Sequence, residues 1–120
     1  MKIDISQIEN EKSLIAIYLF GSVAEGKQSS LSDIDICIMG KFSEKQKLRI
    51  LSNMPEKYDV SFFDELPIWI KIRVFKGKPL FIKDKEELYK INFKTLEEYE
   101  DFRPLIQRRI LRRFGEYARP

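Results

Sequence analysis

The sequence predicts a small α/β (α+β) domain, with a short mixed β-sheet, helices packed on one face of it, and a C-terminal helix or helix pair. Three observations lead there. Short runs of β-branched and aromatic residues end at glycine, serine or proline, as strands do. Helical periodicity with a serine cap appears between two of these runs. From Asp84 onward, apolar residues recur at spacings of three and four almost to the end.

Residues 14–20, LIAIYLF, are too short and too rich in β-branched and aromatic side chains for a helix. With Gly21-Ser22 following, they read as a buried strand. A polar stretch from Ser22 to Ser32 leads to a second strand over 33–39, DIDICIM. Ser43 is placed to cap a helix over 43–52, and 58–63, YDVSFF, makes a third strand. Pro67 fits the first turn of a helix carrying Ile68, Ile72 and Phe75, which Gly77 ends. A fourth strand, PLFI at 79–82, begins with a proline that confines it to an edge or a strand start. The C-terminal helix carries Leu88, Ile91, Tyr99, Phe102, Ile106, Ile110 and Phe114, and Pro104 should kink or divide it. Trp69 and most of the phenylalanines fall on these apolar faces and read as core.

Composition removes whole classes of chemistry. Residues 1–120 leave room for a single core, so a large substrate must lie on an open face or be held partly by another protein. The N-terminal MKIDISQIENEKS lacks the apolar centre of a signal peptide, and no apolar run approaches the roughly 20 residues that span a bilayer. That reads as a cytoplasmic protein with no membrane contact. The chain has no histidine, which excludes Ser–His triads, His-based acid–base catalysis and His-ligated zinc. A bound metal must therefore be held by oxygen, which favours Mg²⁺, Mn²⁺ or Ca²⁺. Cys37, the single cysteine, sits in the apolar run IDICIM and reads as a small buried hydrophobe. The net charge of +3 is too small to argue for nucleic acid. Its excess lies at the C-terminus, where 101–120 carries six arginines against Asp101 and Glu116. Arg108, Arg109, Arg112 and Arg113 spread around the helix as a solvated face or a partner-docking surface. RNA contact ranks last, because the phosphate-binding footprint is short.

The stretch from Phe20 to Asp35, FGSVAEGKQSSLSDID, carries the chemistry. Gly21 can take backbone conformations closed to other residues and lets a phosphate approach the main chain. Ser22 then opens a short helix, where free N–H groups and the helix dipole suit a phosphate. A plain N-cap would use the same serine. Asp33 and Asp35 are one residue apart on a strand and so share a face, with Ile34, Ile36 and Ile38 on the other. Two adjacent carboxylates repel unless a cation lies between them, and hard oxygen ligands at this spacing suit Mg²⁺ together with substrate phosphates.

Gly21-Ser22, ten intervening residues and Asp33-x-Asp35 resemble the signature of the DNA polymerase β-like nucleotidyltransferase superfamily. Within it, the chain is most similar to the minimal nucleotidyltransferases, and the resemblance covers the whole chain. It implies a third carboxylate on an adjacent strand, for which Asp59 in YDVSFF is the candidate and Asp64 in FFDELP the competitor. By the same resemblance, Asp33, Asp35 and Asp59 hold Mg²⁺ (or Mn²⁺), Gly21 and Ser22 hold ATP, and Asp59 can take the acceptor's proton. Many members carry a basic residue directly after the Gly-Ser and another soon after. This chain has Val23 and Glu25 there, with Lys27 later in the loop.

The implied reaction is in-line transfer of AMP from ATP, assisted by two metal ions. Stand-alone members pair with HEPN-domain toxins, so the resemblance implies an antitoxin that adenylylates a toxin tyrosine. A small-molecule acceptor and a non-catalytic module that masks the toxin by contact are the alternatives. A tailing enzyme acting on nucleic acid would usually need a further binding domain.

Overall fold

The computed structural model describes residues 5–21 and 34–114, with side chains through Pro104. Its elements are β1 (Leu14–Phe20), β2 (Ile34–Gly40), α1 (Glu44–Asn53), β3 (Tyr58–Phe62), a 3₁₀ turn (Phe63–Glu65), α2 (Ile68–Phe75), β4 (Lys78–Ile82) and α3 (Lys85–Phe114). The four strands pair in the order β3-β2-β1-β4. β1 lies antiparallel to both β2 and β4, whereas β2 and β3 run parallel. The sheet is therefore mixed, as the sequence predicts. Pro79 does fall on an edge strand.

Alternation along β1 and β2 gives the sheet two apolar faces. Ile17, Leu19, Ile34, Ile36 and Ile38 form one core with Tyr58, Phe62 and Ile50 of α1. Ala16, Tyr18, Cys37 and Met39 form the other with Phe63, with Val74 of α2 and with Leu88 of α3. α2 and α3 thus share one face, while α1 covers the opposite one, which corrects the expectation of helices on one face only: both faces of the sheet are apolar and both need cover. Helix α1 starts on a complete capping box, in which the Ser43 hydroxyl accepts from the Gln46 N–H and the Gln46 side chain accepts from the Ser43 N–H.

Three further expectations need correction. Phe63 leaves the third strand to begin the 3₁₀ turn, and its ring packs edge-on against Phe75 at 5.4 Å. Pro104 does not divide the C-terminal helix, which runs as one element from Lys85 to Phe114. Trp69 is not core: it is 46% exposed, because α2 has only about two turns and Trp69 stands about 140° around it from buried Val74. Phe93 lies off the buried face of α3 by the same geometry, and with Tyr89 and Leu96 it makes an outward apolar stripe.

Lys47 is buried on α1, and its ammonium reaches Asp64 at 3.1 Å and Glu65 at 3.2 Å. Burial alone would lower its pKa, but the hydrogen bonds and charges of Asp64 and Glu65 outweigh burial and raise it. The pairing ties α1 to the 3₁₀ turn. Among the described residues, no helix is long and apolar enough to cross a membrane.

Candidate active site

One end of the sheet gathers three of the residues singled out in the sequence, Gly21, Asp35 and Asp59. β1 delivers Phe20 and Gly21 there, while β2 and β3 begin there. Phe20 is the ladder partner of Asp35, and Asp35 in turn is the partner of Asp59 across the parallel pair. Neighbouring strands are about 4.8 Å apart, and in-register residues project from the same face. The two carboxylates are therefore side by side. Val60, next to Asp59, packs into the opposite core, which fixes Asp59 and Ser61 on the Asp35 face. Asp35 is half-buried and Asp59 is exposed, so the pair opens to solvent at the rim.

Gly21 is bound to this pair by sterics. Its φ of 77° lies in the left-handed region, and a Cβ built there would collide with the Asp35 carboxylate. The turn out of β1 thus seats its bare backbone against the side chain of Asp35. The sequence signalled a special backbone at Gly21 but not this contact, which depends on the β1–β2 register.

Asp64, the competitor to Asp59, lies in the 3₁₀ turn beyond the far end of β3 and is held by Lys47. It is not beside Asp35. Ser22 and Asp33 lie outside the described residues. Among the described residues, the site brings together Gly21, Asp35 and Asp59.

These oxygen donors fit a hard divalent cation: two adjacent carboxylates on one exposed rim, in a chain without histidine. Cys37 offers no alternative chemistry. Burial, with a smaller contribution from the charge of Asp64, pushes its thiol up to about 12, so the thiolate nucleophile is absent at neutral pH. Because the folded value lies above the ordinary 9.0, its ionisation takes stability away only as pH rises across that interval.

The model of the family described as polymerase beta, nucleotidyltransferase, matches residues 4–86, well over half of the chain. The chain belongs to this nucleotidyltransferase family. A chain of Methanocaldococcus jannaschii assigned as a protein adenylyltransferase is 33% identical over 94 residues, covering 78% of this nucleotidyltransferase and 76% of that protein. Among solved structures, a toxin–antitoxin complex crystallised with AMP-PNP contains a chain that superposes with a TM-score of 0.70. It is 23% identical and covers 88% of this chain and 91% of its own. A tri-AMPylated Shewanella oneidensis HEPN toxin in complex with an MNT antitoxin matches with a TM-score of 0.61 at 21% identity, covering 88% of each chain. At these identities, the two structures establish the nucleotidyltransferase fold.

Proposed function

We propose that this nucleotidyltransferase, as a single domain over 1–120, transfers AMP from ATP to a tyrosine of a partner HEPN-type toxin and so silences it. The observation that carries this reading is the juxtaposition of Asp35 and Asp59 beside the bare backbone of Gly21. It is supported by a protein adenylyltransferase among the relatives and by toxin–antitoxin complexes among the structural neighbours. An exposed apolar stripe on α3, with Tyr89 and Phe93 each 67% exposed and Leu96 50%, is the kind of surface that marks a protein contact.

In this mechanism, Asp35 and Asp59, with Asp33, hold Mg²⁺ or Mn²⁺. The metal would lower the pKa of the acceptor hydroxyl and neutralise charge on the leaving pyrophosphate. The Gly21 main chain and Ser22 hold the triphosphate. The tyrosine oxygen forms a bond to the α-phosphorus, the bond from that phosphorus to the β-phosphate bridging oxygen breaks, and pyrophosphate leaves. Asp59, the more exposed carboxylate, takes the tyrosine proton.

The test mixes the chain, the partner that co-purifies with it, Mg²⁺ and ATP labelled on the α-phosphate. Label and an added AMP mass on a partner tyrosine, both lost with Asp33→Asn, are expected. If the Asp33→Asn chain still neutralises an unmodified partner, masking by contact replaces transfer as its role. A small-molecule acceptor would instead leave the label off every protein in the mixture.

A further inference from the structure

We propose that the outer half of α3 pairs with the same segment of a second copy of this chain, antiparallel and about a two-fold axis at Leu105. The first half of α3 lies on α2 and β1, with Leu88 and Thr95 buried. Phe102 follows Thr95 by seven residues, as Thr95 follows Leu88, so all three stand on one face of the helix. Phe102 is nevertheless 46% exposed, and residues 101–104, more than a full turn, are exposed all round. The helix has therefore outrun the sheet by Asp101, yet its backbone continues to Phe114. A helical segment of this length is marginal in water unless an apolar face is covered. Here that face holds Phe102, Leu105 and Ile106. Phe102 lies about 140° around α3 from Tyr89, so the stripe of Tyr89, Phe93 and Leu96 stays open to a different partner.

The charges on this segment mirror one another about Leu105. Glu98 and Asp101 stand seven and four residues before it, and Arg109 and Arg112 stand four and seven residues after it. Spacings of three and four keep all five positions on one stripe of the helix. Two such helices laid antiparallel, Leu105 against Leu105, set Glu98 opposite Arg112 of the second copy and Asp101 opposite its Arg109. The two-fold axis repeats both pairs. The overlap from 98 to 112 is about 21 Å long. Parallel alignment would instead set each charge beside its own kind, so the charges also choose the direction. Among the described residues, Arg103 pairs with Glu100 at 3.7 Å, while Glu98 and Asp101 form no ion pair. A uniformly acidic partner would satisfy the arginines but be repelled by Glu98 and Asp101. A surface charged in the reverse order satisfies both, and this segment, turned round, has that order.

Sedimentation equilibrium of the full chain, with two charge-reversed variants, tests the pairing. Glu98→Arg/Asp101→Arg makes the stripe wholly basic, and Arg109→Glu/Arg112→Glu makes it wholly acidic. Each variant should self-associate at least about ten-fold more weakly than the native chain. Mixed in equal amounts, the two should associate again, because the reversed stripes complement each other. Recovery on mixing also shows that both variants fold. The inference is overturned by a native chain that stays monomeric, by self-association that survives both reversals, or by variants that do not recover on mixing. It is overturned too if the reversals release the co-purifying partner and leave the chain's own oligomeric state unchanged, which would give the segment to that partner. Transfer of labelled AMP is read separately, so its failure would strike the proposed function and leave this pairing standing.

Discussion

Asp35→Asn is expected to abolish the rise in melting temperature that ATP with Mg²⁺ or Mn²⁺ gives the native chain. With ligand about a hundred-fold above Kd, linkage supplies about 2.7 kcal/mol, a shift on the order of 10 °C for a domain of this size. Transfer should fall by more than about 100-fold, since losing even a partner that orients a metal ligand commonly costs 10–100-fold. The variant should still fold. Asp35 and Asp59 are ladder partners, so removing one negative charge relieves repulsion in the metal-free chain. Differential scanning fluorimetry with and without nucleotide and metal separates the effects. A variant that keeps the full ligand-dependent shift would remove Asp35 from the site.

Gly21→Ala should be nearly as damaging, for a different reason. The left-handed φ alone costs an alanine about 1–2 kcal/mol. The new methyl also occupies the space of the Asp35 carboxylate, so the strain is relieved only by moving that side chain or the turn. Stability should drop modestly, while nucleotide binding and transfer drop steeply. Urea denaturation read against ATP affinity checks this. Equal, modest losses in both would mean that Gly21 serves the turn and not the site.

Much of this was legible in the sequence, and the parts that were not share a cause. β1 announced itself because seven successive residues are β-branched, aromatic or aliphatic, and six of them are buried. The start of α1 was readable in Ser43 and the residues after it, and Pro79 marked an edge. All of these are local signals. The parallel pairing of β2 with β3 is not local. It sets Asp59 opposite Asp35, and no residue in YDVSFF encodes that register. The approach of Gly77 to β1 is equally non-local, since the sequence marked Gly77 only as the end of a helix. Trp69 was misplaced because hydrophobicity does not say which side of a two-turn helix meets the sheet. Asp64 looked like a rival to Asp59 until Lys47, seventeen residues earlier, was found holding it.

The most direct test is a crystal of the native chain grown with Mn²⁺ and a non-hydrolysable ATP analogue, measured at the manganese absorption edge. An anomalous peak against the carboxylates of Asp35 and Asp59, with the analogue's phosphates at the Gly21 turn, is the result expected. Manganese elsewhere, or a nucleotide seated away from that rim, would contradict the assignment of this end of the sheet as the transfer site.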